Sequence, residues 1–295
     1  MIMFMSEGCC GRHKHTHAQA GTEEKHMMGR VSRTGQQFSG RFLRERITSS
    51  RTNKTAQQSE SSRLVCVRNC TANMATSEEM VLYYDEVSPP VRSVLMTIAA
   101  LGLKDRVKLE YIDLFGVEHL KEYFLKVNPL HTIPVLRHGD LTLTDSHAIL
   151  MYLCDTFAPA GHDLAIPDTL TRAKVFNRLC FNNGFLFQRE AAVLTKVFRR
   201  EITDPSTHLK PIEETIDALE IYLKESRYTA LDHLSVADFS IVATVSTLSF
   251  LIPITADRWP RVHEWFEEMQ TVPWYAENRV GLEKLRGIFN KLTKA

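Results

Sequence analysis

At Met80 the chain changes character, and the break sets the terms for its fold. Residues 1–79 show no sustained apolar periodicity. They are rich in Ser, Thr, Gln, Arg and Gly, with three Phe and no Tyr or Trp. Such a stretch buries too little apolar surface to offset the entropy of ordering it, which predicts a disordered extension over 1–79. Its Arg and Ser content is that of a targeting peptide, but Glu7, Glu23 and Glu24 come early, and transit peptides avoid acids. His13, His15 and His17 beside Cys9 and Cys10 match no standard zinc spacing, so no metal site is expected. Met74 opens Met-Ala-Thr-Ser-Glu-Glu just ahead of the first strand and is an alternative start.

After the break the periods are clear. Val81–Asp85 is a short apolar run that reads as a strand. Pro89-Pro90 follows, with Val91, Val94, Leu95, Ile98 and Leu101 at helical spacing. Proline suits a helix's first turn, where an N–H would have no intrahelical partner. Val107–Asp113 reads as a strand, and Glu118–Val127 as a helix stopped by Asn128-Pro129. Ile133–Leu136 and Leu141–Leu143 read as strands around a turn at His138-Gly139-Asp140, and Asp145–Phe157 as a helix. This β-α-β-α-β-β-α order predicts a small α/β domain over 80–158.

Pro167-Asp168 ends a linker, and residues 168–295 read as all-helical. One long helix is expected from about Leu170 past Phe187 towards Arg199, another over Leu209–Glu225, and further ones over Pro260–Gln270 and Gly281–Lys291. Ser235-Val236-Ala237-Asp238 is a capping box, with Leu234 and Phe239 at the staple positions. Ser240–Ala256 carries no charge but is short for a bilayer and holds several Ser and Thr, so it reads as a buried core helix and no membrane span is expected.

Charge narrows the function classes. The net charge of +1 argues against a whole-protein role on nucleic acid or a membrane surface. It conceals 12 Lys/Arg against 7 Glu in residues 1–79, and 24 against 28 acids in the remainder. After Met80 only Cys154 and Cys180 occur, which is no disulfide framework. A reducing, cytoplasmic location is expected.

Taken together, the strand with Ser88-Pro89-Pro90, the segment from Asn128 to Leu136, Asp145-Ser146-His147-Ala148-Ile149 and the capping box resemble a cytosolic glutathione S-transferase of the insect delta/epsilon class. The resemblance covers Met80 to the C-terminus. It implies a thioredoxin-like, glutathione-binding N-terminal domain, an all-α C-terminal domain for hydrophobic substrates, glutathione as co-substrate and a homodimer. More narrowly, the run from Tyr83 to Ser93 and the ending Gly281-Leu282-Glu283-Lys284-Leu285-Arg286 resemble Noppera-bo, an epsilon-class branch associated with ecdysteroid production.

Ser88 sits where a strand ends and a helix begins. A free thiol has a pKa near 8.5, and a hydroxyl donor at a helix N-terminus favours its thiolate. Ser88 then acts as a hydrogen-bond donor, not a nucleophile. Its simpler reading is a helix N-cap. Ser88-Pro89-Pro90-Val91 lacks the cysteine a thiol–disulfide oxidoreductase would need. The resemblance implies a cis Ile133-Pro134 bond and pairing of the Ile133 backbone with the cysteinyl backbone of glutathione, whereas an X–Pro bond taken alone is usually trans. It puts the γ-glutamyl carboxylate on Ser146 and the amine on Asp145. Pro90, His119, His131, Thr132 and Arg189 complete the implied contacts. Asp145 and Ser146 are equally readable as capping residues.

Glu190 is a polar anomaly, because Leu186, Val193, Leu194 and Val197 share its face and no cation lies one turn away. A carboxylate there needs a partner from another helix, a solvent-facing position, or a ligand. The resemblance implies a substrate pocket lined by Leu186, Glu190, Val193 and Leu194, with the acid suited to the hydroxyl of a steroid. Competing readings are a broad detoxification transferase, a non-catalytic carrier of hydrophobic ligands, and an interaction module. The last has no need of Ser88, Asp145 and Ser146.

Overall fold

The computed structural model describes residues 78–293. Residues 1–77 of the extension, with its His and Cys cluster and Met74, lie outside those residues.

Four strands form one mixed sheet: β1 (Met80–Tyr84), β2 (Val107–Tyr111), β3 (Val135–His138) and β4 (Leu141–Leu143), in the order β2-β1-β3-β4. β1 runs parallel to β2 and antiparallel to β3, with Tyr83 opposite Val135, and β4 returns antiparallel to β3 with Leu143 opposite Leu136. The α1 helix (Pro89–Ala100) makes the crossover from β1 to β2, as a parallel pair requires. The expected helix over Glu118–Val127 is broken into a 3-10 turn at Glu118–Leu120 and a one-turn α2 (Glu122–Leu125), because Lys121 between them is extended. β3 starts at Val135, two residues later than expected. Pro134 has no N–H to give to a ladder, and its bond to Ile133 is cis. The α3 helix (Ser146–Phe157) closes the domain.

The remaining helices are α4 (Thr169–Phe181), α5 (Phe187–Phe198), α6 (Lys210–Glu225), α7 (Val236–Leu248), α8 (Pro260–Thr271) and α9 (Tyr275–Thr293). The single long helix expected from Leu170 to Arg199 is interrupted by a π-turn, Asn182–Leu186, between α4 and α5. Asn182 drives it: its buried amide donates to the Ser240 carbonyl at 3.1 Å and hydroxyl at 2.8 Å, which pulls this turn onto α7. All thirteen residues of α7 are buried, as a core helix demands. None of the helices among the described residues is long and apolar enough to cross a membrane. Asp238 at the head of α7 takes bonds from the Ser235 and Thr229 backbone N–H groups, both their hydroxyls, and Trp265 Nε1, all at 2.8–3.2 Å. The capping box is thus the visible part of a five-donor buried hub. Cys154 and Cys180 are free thiols.

Candidate active site

Sheet topology alone brings three segments to one end of the molecule. β1 and β4 run the same way, and β3 runs against both. The exits of β1 and β4 and the entrance of β3 therefore converge, carrying Ser88, Asp145-Ser146 and Thr132-Ile133-Pro134.

The Ser88 turn is tightly held. Asp85, fully buried, accepts from the Val87 N–H at 3.2 Å and the Leu114 N–H at 3.2 Å, and the Ser88 N–H donates to the Asp85 carbonyl at 3.0 Å. Ser88 is the N-cap residue of α1, with φ −77° and ψ 121°, yet its side chain makes no capping bond. A capping hydroxyl accepts from the second or third N–H of the helix; Pro90 at the second position has none, which leaves only that of Val91 as a target. The helix thus begins without drawing on the Ser88 hydroxyl, and Pro90 lies in the same turn.

Asp145 does cap its helix. Its Oδ1 accepts from the His147 N–H at 2.9 Å and the Ala148 N–H at 3.1 Å. Its Oδ2 faces the Asn183 amide of the π-turn at 3.5 Å. Ser146 is the first residue of α3, at the positive end of that helix. Buried Asn128 organises the loop ahead of β3: its amide donates to the Thr132 carbonyl at 2.8 Å and hydroxyl at 3.0 Å, and its Oδ1 accepts from the Leu130 N–H at 3.0 Å. His131 adopts a left-handed φ of 46° there, and its ring centroid lies 6.3 Å from that of buried His119. Burial, then the nearby His131, lowers the His119 pKa and favours its neutral ring.

Arg189 does not join this cluster through its contacts. It donates to the Pro211 carbonyl, lies 3.7 Å from Glu214 and covers the Phe185 ring, all on or beside α6 and the π-turn. From the helical domain it is Asn183 that reaches Asp145.

Glu190, 1% exposed, shares a buried face of α5 and the preceding turn with Leu186, Val193 and Leu194. Its cation comes from α1: fully buried Arg92. Arg92 donates to the Ala243 carbonyl at 2.9 Å and to the Thr247 hydroxyl, while its Nε and Nη1 and the Glu190 Oε2 have no hydrogen-bond partner. Burial raises the Glu190 pKa well above 4.5 against the pull of Arg92. Burial likewise lowers Arg92 to about 10, opposed by Glu190 and Tyr275. Among the described residues no group of three or more His, Cys, Asp or Glu is arranged to hold a metal. A cavity of about 530 Å³ lies at the interdomain linker, lined by residues such as Cys154, His162 and His233, and none of the site residues above lines it.

A four-stranded mixed sheet with a cis-proline at the head of β3, followed by an all-helical domain, defines a thioredoxin-like module joined to a helical one. Residues 82–161 match the glutathione S-transferase N-terminal domain and residues 184–273 the glutathione S-transferase C-terminal domain. An epsilon-class glutathione S-transferase from the housefly, Musca domestica, is 36% identical with a TM-score of 0.68, over 72% of this chain and 98% of that one. A glutathione transferase homolog from Drosophila mojavensis, solved with bound glutathione, is 33% identical with a TM-score of 0.68, over 72% and 97%. Glutathione transferase E6 from Drosophila melanogaster is 33% identical with a TM-score of 0.67, over 73% and 98%. The chain belongs to the glutathione S-transferase family. It is a glutathione transferase, and glutathione is its co-substrate.

Proposed function

We propose that this enzyme uses Ser88 to stabilise the glutathione thiolate and acts on, or binds, a hydrophobic ligand of the steroid class in ecdysteroid biosynthesis, as a cytoplasmic homodimer related to the Noppera-bo branch. The observation that carries the Ser88 assignment is its hydroxyl at the N-terminus of α1, unused in capping. A thiolate there would gain a donor and the positive helix end together. Asp145 and Ser146 at the head of α3 would bind the γ-glutamyl amine and carboxylate, and the Ile133 backbone the cysteinyl unit. Pro90, Thr132 and Pro134 would wall the peptide, with His119 and His131 at its glycyl end. For the second substrate, support comes from the Glu190 carboxyl on the face shared by Leu186, Val193 and Leu194.

The test is Ser88→Ala. The lost contact is mainly with the thiolate, so turnover should fall about 10–100-fold while glutathione affinity changes little. Unchanged turnover with a generic electrophile would remove Ser88 from the mechanism. Sterol binding measured with and without glutathione, beside turnover, separates a transferase from a carrier.

A further inference from the structure

The middle of the C-terminal helix α9 packs on the turn before Ser88 at an unusually close approach. A Cβ on Gly281 would lie 1.8 Å from the Glu86 carbonyl oxygen and 2.9 Å from the Glu86 Cβ, so only glycine allows the helix this close. Three residues on, and on the same face, Lys284 reaches the turn. Its Nζ lies 2.9 Å from Glu86 Oε1, 3.4 Å from Asp85 Oδ1 and 3.1 Å from the Tyr111 hydroxyl, and 4.9 Å from the Tyr111 ring centroid. Tyr111 in turn donates to Asp85 Oδ2 at 3.3 Å. Burial disfavours the Lys284 charge, but Tyr111, Glu86 and Asp85 outweigh it and hold the ammonium above its ordinary pKa.

Asp85 is 0% exposed and two residues ahead of Val87-Ser88, which makes it a fixed negative group behind the place where a thiolate would form. A carboxylate near a thiol disfavours its ionisation, and a cation that offsets the carboxylate restores it. The other charged or titratable groups facing this cluster are Glu86, Tyr84, Tyr111 and Asp113. Lys284 is the cation among these contacts.

We propose, on the reading that the thiol is held at the Ser88 turn, that Lys284 is a positioning residue for the transferase reaction: it offsets Asp85 and Glu86 behind the turn so that the thiolate forms in front of it, with Gly281 supplying the clearance. The C-terminal helix is thereby part of the thiol-activating machinery.

The experiment titrates the thiolate absorbance of enzyme-bound glutathione against pH in the full chain, for Lys284→Met, Lys284→Arg, Glu86→Gln and Ser88→Ala, with melting temperature and KM for glutathione alongside. Lys284→Met should raise the apparent thiol pKa by about 0.5–1, so that kcat/KM below that pKa falls roughly 3–10-fold and recovers at higher pH. Lys284→Arg should restore the wild-type titration. Glu86→Gln, which removes the opposite charge, should move the thiol pKa down, a response a purely structural contact would not give. A wild-type thiol pKa in Lys284→Met overturns the proposal, even if the melting temperature falls. Should Lys284→Met not fold, an upward or absent shift in Glu86→Gln overturns it instead. Ser88→Ala separates the two readings. If it leaves the thiol pKa unchanged while Lys284→Met raises it, the donor role of Ser88 fails and that of Lys284 stands.

Discussion

Glu190 and Arg92 are individually unfavourable residues made tolerable by each other. Each is buried beyond the reach of water, and the attraction of Arg92 offsets only part of what burial costs the Glu190 charge. Since burial raises the Glu190 pKa, the folded state holds a proton that the unfolded chain releases near 4.5. Stability from this group is then fully present below 4.5 and is lost as pH rises from 4.5 towards the raised folded value. Glu190→Gln removes that dependence, so its stability relative to wild type should increase across the same window, as chemical denaturation at a series of pH values would read. A flat difference would show that Glu190 is ionised in the fold. For ligand binding, Glu190→Ala should weaken a steroid by about 1–3 kcal/mol while sparing a small generic electrophile. Equal steroid affinity would refute the contact, and parallel loss with every substrate would indicate misfolding.

Elements in this chain break where side chains from elsewhere claim them. Asn182-Asn183-Gly184 is an unfavourable run inside a helix, a signal of a break that the expectation of one long helix passed over. What the run does, joining Ser240 through Asn182 and Asp145 through Asn183, required the positions of α7 and α3. The head of α7 shows the opposite case. The Ser235–Asp238 box was legible from spacing, but Thr229 and Trp265, drawn from a preceding loop and from α8, were not. Because Asp238→Ala would strand five donors, it should destabilise the fold by about 3–5 kcal/mol, well beyond the ~1 kcal/mol of an ordinary cap. Equilibrium denaturation decides between these magnitudes. Gly281 reads as the start of a helix, yet α9 begins at Tyr275 and carries it in the interior, because closeness to Glu86 outweighs helix propensity.

At the scale of the molecule, the matched family segments and the converging site all fall within residues 78–293. A chain starting at Met74 should therefore fold, melt cooperatively and turn over normally. Loss of folding on that truncation would place part of the core in the preceding residues. Leu170 (67% exposed), Phe176 (52%) and Phe185 (52%) leave apolar surface along α4 and the π-turn. Apolar surface of that kind is commonly buried in a two-fold interface. Sedimentation at micromolar concentration should give a dimer, and a monomer alone would contradict it.

Strand and helix order, the Ser-Pro-Pro turn and the buried character of α7 follow from local periodicity and turn chemistry, which a single sequence carries in full. Whether Ser88 caps its helix was not decidable from sequence, since Pro90 lacks an N–H but Val91 at the third position keeps one. The cation facing Glu190, the anchoring of Arg189 on α6 and the seating of α9 against the Asp85–Ser88 turn were not decidable either. Each is a contact between residues far apart in the chain, such as the 199 positions between Asp85 and Lys284, and hydrophobic periodicity fixes which face of an element is buried without fixing which element it meets.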